Sequence, residues 1–222
     1  GVHPWRITAR ETLGAEAGPP DWTSGEAGKS GPGWALDGEL RATLLRHPHA
    51  TVGEIGLDRS PRWKAGYGAQ RAAFRAQLRL AAELRRPVTM HCVKAFGDAV
   101  EELEACLAPG APGSLPPRVY FHSYSGSLET ARRLLALPGS SFFFGFSEAA
   151  NGRSPKTSAV IAGLPAGSLL LESDYDGGAG AGLPERLRGS LDLVARARGW
   201  DPARAAATTA SNARAFFMQS YG

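Results

Sequence analysis

Short apolar runs that break off at a histidine or a carboxylate alternate along this chain with longer stretches of helical periodicity. Thr51-Val52-Gly53-Glu54-Ile55-Gly56-Leu57-Asp58 predicts a buried strand, because Thr, Val, Ile and Leu suit a pleated, packed environment. Val88-Thr89-Met90-His91, Val119-Tyr120-Phe121-His122 and Leu169-Leu170-Leu171-Glu172-Ser173-Asp174 predict three more. Ser141-Phe142-Phe143-Phe144-Gly145-Phe146 predicts another. Between them, Phe74, Leu78, Ala81 and Leu84 recur at helical spacing and predict a long helix over 68–86, ended by Pro87. Val100, Leu103 and Leu107 predict a helix over 96–107, and a short one over 37–46 leads into the first strand. Ser127 is the expected N-cap of a helix reaching Leu137. Helices are also expected over 157–164 and 184–198, and Asp201-Pro202 opens a last one towards Phe217. The Gly- and Pro-rich stretches 14–33, 109–117 and 177–182 read as loops.

Strand and helix in alternation give a parallel sheet with helices outside it. Metal-ligand residue types at the ends of several strands narrow this α/β class to a TIM-type (β/α) barrel, whose chemistry gathers at the C-terminal ends of its strands. An open doubly wound sheet is the alternative, but no glycine-rich phosphate loop follows the first strand. The 222 residues suit one domain spanning 1–222. A complete barrel typically takes about 250 residues. Gly1-Val2-His3-Pro4 reads as the tail of an earlier element, so a barrel incomplete at its N-terminus is expected.

Composition changes this picture little. No run approaches ~18 apolar residues, so no membrane-spanning helix is expected. Cys92 and Cys106 are the only cysteines, which argues against a disulfide scaffold and fits a reducing compartment, cytoplasmic or nuclear. The net charge is +4, with arginine far outnumbering lysine. A phosphate-rich partner would explain that balance. A composition bias is the plainer explanation, because Ala, Gly and Pro are also abundant and the arginines are spread along helices rather than clustered.

The candidate chemistry starts at Glu54. A carboxylate inside a buried strand needs a cationic partner or a metal. A buried arginine is the plain reading for Glu54 alone. Glu54, His91, His122 and Asp174, each near the end of a predicted strand, shift the balance towards a shared metal site. Two imidazoles and two carboxylates suit zinc, manganese or magnesium rather than a thiolate-preferring metal. A carboxylate can bridge two ions ~3.5–4 Å apart, and such a pair activates water and clamps a phosphoryl oxygen. His47-Pro48-His49 also has ligand spacing, but it precedes the first strand. Five strand residues span ~16 Å, so that pair cannot share an ion with Glu54 and reads as a surface turn. Gly28-Lys29-Ser30 is not a phosphate loop, because Thr23 stands where the motif needs glycine.

Taken together, Gly1-Val2-His3-Pro4, Gly53-Glu54-Ile55-Gly56-Leu57-Asp58, Pro87-Val88-x-x-His91, Phe121-His122-Ser123-Tyr124-Ser125-Gly126 and Glu172-Ser173-Asp174 resemble, in order, the motifs of the TatD family of metal-dependent deoxyribonucleases. Gln70, Phe74 and Gln77 match that family's helix pattern. Asn212, Arg214 and Phe216 resemble its closing pattern, compressed by a residue. The resemblance implies a hydrolase that cleaves DNA phosphodiester bonds with two divalent ions, Mg, Mn or Zn. In it Glu54 bridges the ions, His91 and His122 hold one, and Asp174 binds the other and orients or deprotonates the attacking water. Glu54 and Asp174 are therefore the expected catalytic residues. Lys94, beside a position where the family often has arginine, and Lys156 are candidate phosphate contacts. The family's opening strand carries D-x-H-x-H, which this chain lacks, so its Glu54–Asp174 ion is expected to lose two imidazoles unless another residue such as His3 serves. The same barrel could hydrolyse a different bond, or persist as a non-catalytic interaction protein.

Overall fold

The computed structural model describes residues 1–4, 32–108, 114–175 and 182–217, with backbone alone over 32–37. The loop expectations at 14–31, 109–113 and 177–181, with Gly28-Lys29-Ser30 among them, lie outside the described residues. The elements are α1 (Pro32–Arg46), β1 (Val52–Asp58), α2 (Tyr67–Glu83), β2 (Val88–Val93), α3 (Phe96–Ala105), β3 (Arg118–Phe121), α4 (Leu128–Leu135), β4 (Ser141–Phe146), α5 (Glu148–Asn151), α6 (Pro155–Gly163), β5 (Leu169–Leu171), α7 (Leu183–Arg198) and α8 (Pro202–Phe217). The strand order is the chain order, β1-β2-β3-β4-β5. The described residues group into two compact units, Gly1–Val119 with Leu137–Ser140, and Tyr120–Ala136 with Ser141–Gly222.

In the first unit, β1 and β2 pair in parallel with Val52 opposite Val88 and Ile55 opposite Met90. Three residues on β1 thus face two on β2, so Gly53-Glu54 forms a bulge. A bulge bends its strand and re-aims a side chain, and here the side chain is Glu54. Beyond it the register is regular to Asp58 opposite Val93. Ile55, Leu57, Met90, Phe74, Leu78, Val100 and Leu103 fill the core, from the faces that strand alternation and helical spacing select. Helix α2 is shorter than the periodicity predicts. Arg85 turns into left-handed backbone at φ 52°, and Pro87 cannot continue a helix.

In the second unit, β4 and β5 pair in parallel from Phe144 opposite Leu169 to Phe146 opposite Leu171. Ser127 caps α4 as expected, its Oγ accepting from Thr130 N at 3.0 Å. Helix α5 was not expected. Its Ser147 Oγ accepts from Ala150 N at 3.1 Å while Asn151 Oδ1 accepts from Ser147 N at 3.0 Å, a reciprocal cap that stabilises a single turn. Phe216 of α8 packs on Tyr120, Phe143 and Leu170, and Asn212 Nδ2 donates to Leu169 O at 2.9 Å and Ala166 O at 2.7 Å. Of the closing residues singled out in the sequence, Asn212 and Phe216 therefore secure β5 from its flank. One correction concerns β5 itself. It stops at Leu171, so Asp174 does not end a strand. Glu172 N still donates to Phe146 O, but Glu172 O is taken by Ser190 Oγ of α7 at 2.8 Å, and Asp174 sits at φ 50°, outside strand geometry.

Candidate metal centre

The first unit gathers His3, Glu54 and His91, with one ligand atom from each within 4.8 Å of the others. Glu54 Oε2 lies 3.6 Å from His3 Nε2 and 3.9 Å from His91 Nδ1. The other nitrogen of His91, Nε2, lies 3.2 Å from Oδ2 of the buried Asp58. Burial first, and then the neighbouring His3, push the His91 imidazole below its ordinary pKa against the pull of Asp58 and Glu54. The ring is thus held towards its neutral form, which is the form that ligates a metal. The backbone here is fixed from α2. Buried Gln70 accepts from Asp58 N at 2.8 Å and donates to Asp58 O at 3.2 Å and Trp63 O at 2.9 Å. Gln77 accepts from Val2 N at 2.6 Å and donates to Val2 O at 3.3 Å. Gly56, at φ 144°, brings β1 so near β2 that any Cβ there would overlap the His91 carbonyl.

The second unit gathers Tyr120, His122, Ser123, Glu172 and Asp174. His122 directs Nδ1 at Glu172 Oε2, 3.0 Å away, and Nε2 at Asp174 Oδ1, 3.1 Å away. Glu172 is tied down further: its Oε1 accepts from Ser123 N at 2.5 Å and Ser123 Oγ at 2.8 Å, and its Oε2 accepts from the Tyr120 hydroxyl. Gly145 leaves room for that contact, since a Cβ there would lie 2.6 Å from Glu172 Oε2. Ser123 and Asp174 both hold positive φ, at 43° and 50°, a conformation that costs energy in non-glycine residues and clusters at functional sites.

Each expected histidine therefore lies beside an expected carboxylate, His91 with Glu54 and His122 with Asp174. Both histidines share one arrangement: a carboxylate on one ring nitrogen and a second carboxylate facing the other. Metal-binding histidines show this pattern, in which the outer carboxylate fixes the tautomer and ring orientation. The donor set holds only nitrogen and oxygen, which fits a divalent zinc, manganese or magnesium ion. Lys94 is exposed just past β2, and Lys156 is exposed in the first turn of α6. His47 and His49 are exposed in the turn before β1. Sequence reasoning missed Asp58 and Glu172 as site residues. Asp58 carried a signal, since it lies four residues past Glu54 on the same strand and even spacing puts side chains on one face of an extended chain. Glu172 carried none of that kind, because the chain has left the strand by Asp174.

A family model described as TatD related DNase matches residues 1–218. Cut9-interacting protein scn1 from Schizosaccharomyces pombe is 29% identical over 222 residues, covering 80% of this chain and 65% of that protein. The chain thus spans just under two thirds of that relative's length. The 3'-5' ssDNA/RNA exonuclease TatD from Cronobacter sakazakii is 32% identical over 193 residues, covering 82% of this chain and 70% of that one. Among solved structures, YJJV, a TatD homolog from Escherichia coli K12, matches with a TM-score of 0.65 at 26% identity, covering 84% of this chain and 71% of that one. That likeness bears out the expected α/β, TIM-type barrel class.

Proposed function

This chain belongs to the TatD-related DNase family, and from that premise we propose that it is a metal-dependent deoxyribonuclease hydrolysing phosphodiester bonds. The observation that carries the reading is the twice-repeated carboxylate–histidine–carboxylate arrangement, Asp58–His91–Glu54 and Glu172–His122–Asp174. No packing requirement of a sheet explains two such sets, each beside or just past a strand end.

Glu54 and His91 in the first unit, and His122 and Asp174 in the second, would hold divalent metal. Such ions supply Lewis acidity and neutralise charge on a phosphodiester. The chain's own residues do the rest. Asp58 and Glu172 hold the two imidazoles in their ligating orientation. Asp174, exposed and within reach of His122, orients the attacking water and accepts its proton. Lys94 and Lys156 bind phosphates of the strand. Residues 1–222 act as one hydrolase domain in this reading, working in the cytoplasm or nucleus, where Cys92 and Cys106 stay reduced. No helix among the described residues is long and apolar enough to cross a membrane.

The test is release of nucleotides from an end-labelled single-stranded oligonucleotide. Hydrolysis should need added Mn2+, Mg2+ or Zn2+, stop with chelator and resume when metal is restored. Chelator-resistant hydrolysis, or none with any of the three metals, contradicts it. One finding favours a second reading, a non-catalytic interaction protein: the relative from fission yeast is named for a protein it interacts with. A chain that takes up no divalent ion supports that alternative.

A further inference from the structure

His3 stands outside the four ligands named above, yet it is built into the first unit's cluster. Gly1 N donates to Gly53 O at 2.9 Å, and Gln77 holds both backbone polar groups of Val2. The segment is thereby laid along the bulge that carries Glu54. His3 Nε2 reaches within 3.6 Å of Glu54 Oε2, and the His3 and His91 rings meet edge to face with centroids 4.5 Å apart. Two histidines so close to one carboxylate suit a cation between them better than they suit each other.

We propose that His3 is a third protein ligand of the ion held by Glu54 and His91, which gives the first unit a His/Glu/His site of its own. The inference rests on the reading that Glu54 and His91 hold a metal, and adds a ligand to it. The distances allow it. Donors each ~2.1 Å from one ion lie roughly 3.4 Å apart in a tetrahedral site. The two donor–carboxylate separations are 3.6 and 3.9 Å, so shifts of a few tenths of an ångström close them. All three ligand atoms already lie within 4.8 Å of one another. The orientation is prepared independently of His3: buried Asp58 sits on His91 Nε2 at 3.2 Å and leaves Nδ1 to face Glu54. Two imidazoles and one carboxylate make the ligand set of catalytic zinc sites, with a fourth position left for water or substrate. The side chains of His3 and Glu54 are 21% and 36% exposed, which keeps that fourth position reachable.

The chain has five histidines, so their imidazole 15N resonances can be followed singly while Zn2+ is titrated into the wild-type protein. The His3 and His91 ring nitrogens should shift together to metal-bound values, while His47 and His49 stay put. In calorimetry with the same ion, His3→Gln should weaken binding by roughly tenfold or more, at least the effect of losing an outer partner. A His3 ring that stays unchanged while His91 moves, or a His3→Gln protein that binds zinc as tightly as wild type, overturns the inference and leaves the metal reading standing. A protein in which neither His91 nor His122 responds to zinc sinks both. Should His3→Gln fold poorly, the wild-type titration alone decides.

Discussion

The first unit offers its candidate ligands from within a pair of hydrogen-bonded strands, whereas the second offers them from chain that has left the sheet. Glu54 sits in the β1 bulge, Asp58 ends β1 and His91 lies inside β2. Their spacing follows from strand register and from one glycine. His122 comes just after β3, and Glu172 and Asp174 follow β5. Those three are positioned by side-chain hydrogen bonds from Tyr120 and Ser123, by Ser190 beneath, and by two residues at positive φ. Backbone register fixes one region and polar side chains fix the other. The first should therefore fail through backbone overlap, and the second through loss of a donor or acceptor.

The largest effect is expected at Gly56. Gly56→Ala sets a methyl against the His91 carbonyl at φ 144°, and should cost ~3 kcal/mol or more in denaturant unfolding. Gly145→Ala in the second unit meets the side chains of Tyr120 and Glu172 rather than backbone, so it should cost clearly less. Equal costs would break the contrast. Next in size, Glu172→Gln keeps the volume but removes the charge facing His122. Metal affinity should fall ~10–100-fold, with unfolding nearly unchanged. A large loss of stability with intact affinity would show Glu172 to be structural.

Glu102 of α3 sharpens the comparison from outside both clusters. It is buried, accepts from Arg75 Nε at 2.7 Å and from Arg71 Nε at 2.8 Å, and joins α2 to α3. Burial alone would raise its pKa, but the hydrogen bonds and charges of Arg75 and Arg71 outweigh it and hold the carboxyl below its ordinary value. A depressed carboxylate contributes stability above its unfolded pKa, ~4.3, and that contribution is lost as pH falls through the folded value. Thermal melting should therefore drop steeply below pH ~4. Glu102→Gln should flatten that acid limb and cost ~1–2 kcal/mol near neutrality. An unchanged acid limb contradicts the linkage. The smallest effects belong to Lys94→Gln and Lys156→Gln, each expected to lower the salt slope of single-stranded DNA binding by ~1. Affinity flat between low and moderate salt would argue against a nucleic-acid partner.

Much of the frame was legible because its signals are local. Each strand is an apolar run bounded by glycine, proline or a polar residue, and Ser127 caps where its spacing says it should. What stayed hidden depends on pairing. The bulge at Gly53-Glu54 exists only relative to β2, so no pattern within β1 reveals it. The end of β5 at Leu171 was misplaced because Ser190, distant in sequence, takes the Glu172 carbonyl. Asp58 and Glu172 show in the sequence only as part of motifs, since a carboxylate's role depends on which histidine nitrogen faces it.

The central claim is that the carboxylate–histidine set of each region is needed for phosphodiester hydrolysis. Single-turnover hydrolysis of end-labelled single-stranded DNA by Glu54→Gln and by Asp174→Asn tests it most directly. Each single variant should fall at least ~100-fold, towards background. Wild-type turnover in either variant would contradict the account.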